Sequence, residues 1–252
     1  MREFGEGDRW PAPRVAPEPR PVGGIPVRPS DPDPSARHVA SYYHERAAEY
    51  DHIYELPERQ ADLHRLEELV ARWVNGRNVL ELACGTGWWT QVMARSARSI
   101  LATDLNETVL DIAGRRDYGR TPVRLRYADA WDLGSIPGVF DTVFAGFWLS
   151  HLKRARIREF LESMDERLGH GGRVVMLDNR YVEESSTPLS RTDDEGNSYQ
   201  MRSLQDGRTF EVLKNFFPKR ELMHVLDAPS RFVEVRELDY YWAAFYDRGT
   251  SG

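Results

Sequence analysis

Between Val79 and Gly87 the sequence reads Val-Leu-Glu-Leu-Ala-Cys-Gly-Thr-Gly, a strand that enters a glycine turn and leaves as a helix. Such a turn points backbone N–H groups at whatever sits above the strand end, and glycine lets ligand and backbone approach closely. Asp104, nineteen positions after Gly85, ends the next strand. A carboxylate there can hold a ribose diol by two hydrogen bonds. Trp89 stands where the dinucleotide fingerprint needs its third small residue, and its bulk disfavours a pyrophosphate at the helix start. Glu81 lies inside the strand, an odd place for a carboxylate unless it orders the glycine loop or meets a positive ligand. Both features suit a ligand that carries a sulfonium and an ammonium in place of phosphates.

The elements that must position these residues alternate. A helix is expected from Ser35–His38 through Tyr50, and a second after Pro57, with Leu63, Leu66, Leu69, Val70 and Trp73 at helical spacing and Gly76 as its stop. Strands are expected over 78–83, 99–103, 122–127, 139–146 and 173–177. Helices over 87–98, 105–118 and 154–168 separate most of them. That rhythm implies right-handed crossovers and a Rossmann-like, doubly wound α/β sheet, mostly parallel, with helices on both faces. Residues 198–204 and 209–215 flank Asp206-Gly207, a hairpin signal. Pro218 should start a short helix. The last strands, 232–238 and 240–246, are joined so tightly that they must run antiparallel.

Most of the prolines precede residue 35, so residues 1–36 are expected to form a disordered or extended arm, with one folded domain over 37–252. Within that domain the leading helices take 37–75, the ligand-binding core 76–180, and a hairpin cap with the final strands 181–247. A net charge of −6 argues against a sequence-independent grip on nucleic acid. No apolar run approaches the ~20 residues of a membrane helix, and the first residues do not read as a signal peptide. The single cysteine, Cys84, cannot close an internal disulfide, which fits a reducing cytoplasm. It also excludes an iron–sulfur cluster held by the chain's own thiolates. Its bland reading is a small buried filler.

Glu-Leu-Ala-Cys-Gly-Thr-Gly resembles the first motif of class I S-adenosylmethionine (SAM)-dependent methyltransferases, and the element order from about 38 to 247 is similar to that family throughout. The helix Tyr42–Asp51 resembles the first helix of the branch that includes ubiquinone- and menaquinone-type methylases. The resemblance implies a seven-stranded sheet with the last strand inserted antiparallel, and SAM as cofactor with S-adenosylhomocysteine (SAH) as product. It places Glu81, Ala83, Gly85 and Gly87 at the methionine end and Asp104 at the ribose. Leu105 would cover one adenine face and Asp129 accept from the adenine amino group, with Ala130 and Trp131 beside the ring. Phe147 would offer its carbonyl to the ammonium, and Tyr43 and Tyr50 would close over the cofactor. For Asp129 a strand-end cap, and for Trp131 and Trp148 ordinary core packing, stay open as alternatives.

Methyl transfer from a sulfonium is an in-line displacement that needs a base only where the acceptor must lose a proton. His151, in the loop after the fourth strand, is the candidate base; a histidine capping the following helix is the alternative. The acceptor pocket is expected over the strand ends, lined by Trp88, Trp148, Asn179, Arg180, Tyr181, Tyr199 and Phe217, and suited to a flat or apolar small molecule. Asp178-Asn179 resembles part of the magnesium site of catechol-type O-methyltransferases. Gly146 stands where their third ligand would be, and two oxygen ligands are too few. Metal-independent activity is expected, from a monomer or homodimer. The competing readings are a nicotinamide-dependent oxidoreductase, a nucleic-acid or protein methyltransferase, and a silent SAM-binding module. Trp89 opposes the first. Ala145-Gly146-Phe147-Trp148, where base-amine methylases carry an Asn/Asp-Pro-Pro-aromatic motif, opposes the nucleic-acid reading. The intact cofactor residues oppose the last.

Overall fold

In the computed structural model the described residues are 47–204, 206–227 and 231–249, with side chains described from Asp51 onward. Contacts divide the chain into Met1–Pro32 and Asp33–Gly252, and the second unit holds every described residue. The expected arm over 1–36, the helix over 35–46 and Tyr43 lie outside the described residues, as does the side chain of Tyr50. Ala47–Tyr54 is a 3-10 helix.

A 3-10 turn at Pro57–Arg59 opens helix α1 (Gln60–Trp73), since proline presets the first helical φ at no cost in hydrogen bonds. Gly76, at φ +68°, ends that run before strand β1 (Asn78–Leu82). There follow α2 (Trp88–Ala94), β2 (Ser99–Asp104), α3 (Glu107–Ala113), β3 (Val123–Tyr127) and β4 (Phe140–Gly146). Next come α4 (Ile157–Glu166), β5 (Leu168–Asn179), β6 (Leu189–Thr192), β7 (Ser198–Ser203), β8 (Thr209–Leu213), α5 (Lys219–Leu226), β9 (Arg231–Glu237) and β10 (Tyr241–Arg248). The main sheet has the order β3-β2-β1-β4-β5-β10-β9; β10 runs antiparallel between β5 and β9, and β6-β7-β8 form a second, antiparallel sheet.

Burial on both faces explains the near-continuous apolar strands. Leu80, Leu82, Val143, Val174 and Met176 join one core with Phe160, Leu161 and Met164 of α4. Their neighbours Val79, Phe144, Val175 and Leu177 join another with Leu63, Leu66 and Val70 of α1 and Val92 and Met93 of α2.

Three helices are shorter than their apolar spacing suggests, each for a local reason. After Ala94 the chain turns back so that Arg98 N donates to Arg77 O. Asn106 caps α3 at Thr108 N, which leaves Leu105 outside the helix. Residues 154–156 form a 3-10 turn before α4, and the strand expected over 173–177 reaches back to Leu168 across a register shift opposite Phe140–Thr142. That shift needs glycine: a Cβ at Gly172 would lie 2.7 Å from Leu168 Cβ. Strand β6 was not foreseen; Leu189–Thr192 is exposed along its length and carries no apolar alternation. Among the described residues no helix is long and apolar enough to cross a membrane.

Candidate active site

The glycine loop leaves β1 through three residues of left-handed backbone, Ala83 (φ +50°), Gly85 (+54°) and Gly87 (+79°). Gly87 is required twice over, because a Cβ there would also stand 2.6 Å from the Tyr118 hydroxyl. A non-glycine residue at positive φ is strained, and it persists where the surroundings over-determine it. Phe147, just past β4, is the second such residue (φ +56°); its N–H donates to Leu177 O at 2.8 Å. The two strained turns therefore stand side by side at the carboxyl ends of β1 and β4, which pair in parallel.

Two carboxylates lie beneath this loop. Asp104 accepts from Gly85 N and from Asn106 N, each at 2.9 Å. Each oxygen retains a further lone pair for a ligand hydroxyl. Burial raises its pKa to about 6 against the pull of those N–H donors. Glu81 is buried and accepts from the Thr90 hydroxyl at 2.6 Å, which ties β1 to the first turn of α2. Burial, with a smaller contribution from the charge on Asp104, lifts it to about 8. Cys84 is buried beside them.

Of the other residues expected around the cofactor, Leu105 is an exposed apolar side chain directly after Asp104. Asp129 uses one oxygen to cap its own turn at Trp131 N (2.9 Å), while the other has no hydrogen-bond partner among the described residues. Ala130 is buried in the core. The Trp131 ring is taken up by packing, edge-on to Phe160 at 5.4 Å and under Arg156 at 3.8 Å. The Phe147 ring sits among Tyr54, Trp89 and Tyr241.

Next to Phe147 opens a cavity of about 220 Å³, walled by Ile53, Leu56 and Arg59 from the start of α1, by 179–187, and by the β7–β8 hairpin. Among the described residues four cations line it and no carboxylate does: Arg59, Arg180, Arg202 and Lys214. Of the expected pocket residues, Asn179 and Arg180 line it, as does His151, the candidate base. Tyr199 points the other way, its hydroxyl donating to Asp193 and its ring under Arg191 at 3.6 Å. Strand alternation gives the cavity to Gln200 and Arg202 instead. Phe217 is buried in the core, and its neighbour Phe216 lines the wall. Trp88 stacks on Tyr54 at 4.5 Å, Trp148 packs against the core, and Tyr181 is exposed, edge-on to Phe216. The lining is therefore mixed: Ile53, Leu56, Phe147, Val212, Phe216 and Tyr241 stand beside the four cations.

The cations differ in how they are balanced. Lys214 is buried, donating to Asp178 Oδ1 at 3.0 Å and to the Ser150 hydroxyl at 2.7 Å. Burial draws its pKa down while Asp178 draws it up. Burial would raise Asp178, but Lys214, His151 and the N–H groups of Ser150 and Asn179 hold it below its usual value. Arg180 is tethered outward to Glu237 and to Leu238 O. Among the described residues Arg59 and Arg202 donate to neutral oxygens, Ser185 for the first, Thr187 and Gln200 for the second. The Arg59 Nε has no hydrogen-bond partner among the described residues. His151 donates from Nδ1 to Leu213 O at 2.7 Å, since a carbonyl can only accept. Burial and the charge on Lys214 push it down to about 3.

Arg59, Arg202 and Lys214 were missed in the sequence because they lie on separate segments. One signal was present: Lys214 interrupts the apolar run Val212-Leu213 and Phe216-Phe217.

Comparison with known proteins supports the chemistry of the glycine loop. Residues 79–172 match the family described as a methyltransferase domain. The chain is 34% identical over 115 residues to a demethylmenaquinone methyltransferase of Clavibacter sepedonicus, across 46% of this chain and 44% of that protein. It therefore spans less than half the length of that curated relative. Among solved structures, the DhpI–SAH complex is 32% identical with a TM-score of 0.69, over 85% of this chain and 97% of that one. The DhpI–SAM–HEP complex is 31% identical with a TM-score of 0.70, over 84% and 97%. This chain belongs to the class I SAM-dependent methyltransferases.

The residues present fit SAM. The left-handed loop offers N–H groups, Glu81 and Asp104 lie beneath it, Leu105 presents an exposed apolar surface, and one oxygen of Asp129 is open among the described residues.

Proposed function

We propose that this protein transfers the methyl group of SAM to an oxygen of a small anionic acceptor seated in the Arg59–Arg202–Lys214 cavity, without a metal. The carrying observation is the charge of that cavity: among the described residues four cations and no carboxylate line about 220 Å³. Like charges so close repel one another, and Arg59 and Arg202 both act to lower the pKa of Lys214. An anionic ligand relieves that repulsion, whereas the flat apolar acceptor expected from the sequence would desolvate Arg59 and Arg202 without supplying them a counter-charge.

SAM, when bound, supplies an electrophilic methyl group with a good leaving group. The chain's task is then to hold the nucleophile, and orientation of this kind can supply ~7–11 kcal/mol of the barrier. Arg59 and Arg202 present planar N–H forks suited to a carboxylate or phosphoryl oxygen. Lys214 uses two of its three N–H bonds on Ser150 and Asp178, which leaves a third. An oxyanion is nucleophilic without losing a proton. That agrees with His151, whose pKa near 3 makes it a feeble base at neutral pH and a neutral wall of the cavity. Lys214 also argues against a cation at Asp178-Asn179, because its ammonium and two backbone N–H groups already occupy the Asp178 carboxylate.

The test is a panel of small carboxylates, phosphate esters and phosphonates set against neutral phenols and amines, incubated with SAM and read by mass spectrometry. Methyl esters from the anions alone, unaffected by a chelator, are expected. Methylation confined to the neutral compounds, or restored only by Mg²⁺, would reverse the proposal.

A further inference from the structure

One side chain that the cofactor residues do not include bonds to three separate parts of the site. Arg116, beyond the end of α3, is largely buried and donates from Nε to Thr86 O at 2.5 Å, inside the glycine loop. It donates to Gln91 Oε1 at 3.2 Å, on α2. It pairs with Asp51, on the segment that precedes α1. The Thr86 hydroxyl donates to the other oxygen of Asp51 at 2.6 Å, closing a ring of loop, arginine and carboxylate. The guanidinium also lies over the Trp88 ring at 5.6 Å, and Trp88 stacks on the buried Tyr54.

The segment fixed in this way leads directly into the acceptor cavity, since Ile53, Leu56 and Arg59 line it. Residues 51–59 thus touch the glycine loop at one end and the acceptor wall at the other. A ligand that settles the glycine loop settles the carbonyl and hydroxyl of Thr86, and with them Arg116 and Asp51. A short chain segment with two such attachments is a physical route by which the sites can be coupled.

We infer that Arg116 is a positioning residue: it holds the glycine loop in its ligand-ready turn and, through Asp51, transmits the filling of the cofactor site to the wall of the acceptor cavity. The inference concerns the cofactor side and stands whether or not the acceptor is an anion.

The test is calorimetric titration with SAH of wild type, Arg116→Gln, Asp51→Asn and the double variant, with hydrogen exchange of the 53–59 amides measured with and without SAH. Each single change is expected to weaken SAH about tenfold, and the double change to cost no more than the worse single, because the two act through one pair. SAH should slow exchange over 53–59 in wild type and not in Arg116→Gln. Arg116→Lys, which keeps the charge without the fork, should fall between. A merely structural arginine predicts a lower Tm with SAH-induced protection over 53–59 intact. That result, SAH affinity within twofold of wild type, or losses that add in the double variant would each overturn the inference. Should Arg116→Gln fail to fold, Asp51→Asn carries the same two readouts.

Discussion

The two halves of the site have opposite electrostatics. At the ends of β1 and β2, Glu81 and Asp104 are buried carboxylates whose pKa values burial raises, to about 8 and about 6. At the ends of β4 and β5 and on the β7–β8 hairpin, cations outnumber carboxylates among the described residues: Lys214 is buried against Asp178, Arg180 reaches Glu237, and Arg59 and Arg202 are half-buried beside neutral oxygens. On the proposed function, a sulfonium donor meets the carboxylates of the first half and an oxyanion acceptor the cations of the second; Phe147, at positive φ past β4, lines the second.

The sharpest break in this contrast is the one internal pairing on the cationic side. Lys214→Met leaves Asp178 buried without its cation, held only by the Ser150 and Asn179 N–H groups among the described residues, and is expected to cost ~3–5 kcal/mol of stability along with turnover. Adding Asp178→Asn should return most of the stability and none of the turnover. Equilibrium denaturation and a methyl-transfer assay on both variants check this.

On the acidic side the expected effect depends on pH. Glu81 and Asp104 have folded-state pKa values above their unfolded ones. The stability tied to them is therefore fully present below about pH 4 and lost as pH rises, through about 6 for Asp104 and about 8 for Glu81. Glu81→Gln should remove most of the later loss, so that its stability falls less steeply than wild type between about pH 6 and 9 in the ligand-free protein. Equal slopes of stability against pH for the two proteins would show that Glu81 is not held neutral. A smaller effect separates the halves by function: Arg202→Gln should lower kcat/KM for the acceptor by roughly 10–100-fold, and leave SAH affinity within twofold. The least is expected of His151→Asn, a loss under about tenfold with an unchanged pH profile, since a histidine titrating near 3 is not the working base.

The halves also differ in how far the sequence discloses them. Glu81, Ala83, Gly85 and Gly87 fall within seven residues, and Asp104 follows one crossover later, so a single strand–turn–helix unit carries most of the cofactor side. The sheet was legible for the same reason: strands buried on both faces are apolar throughout, and a join of a few residues forces β9 and β10 antiparallel. The acceptor side is assembled from residues 59, 180, 202 and 214, brought together only by the packing of the hairpin over the strand ends. Tyr199 and Phe217 were each one residue from a position that lines the cavity, held by Gln200 and Phe216. In an extended chain a one-residue step reverses the face, and aromatic character alone gives no phase. Arg59 and Arg202 looked like ordinary surface charge, because nothing local marks an arginine that will lack a carboxylate.

The most direct test of the opposed halves is calorimetric titration of SAH-saturated protein with inorganic phosphate and with a neutral phenol of similar size, repeated on Arg59→Gln/Arg202→Gln. The account predicts that phosphate binds the wild type, that binding falls at least tenfold in the double variant, and that the phenol binds neither. Phenol binding that survives the double change, with no measurable phosphate binding, would contradict it.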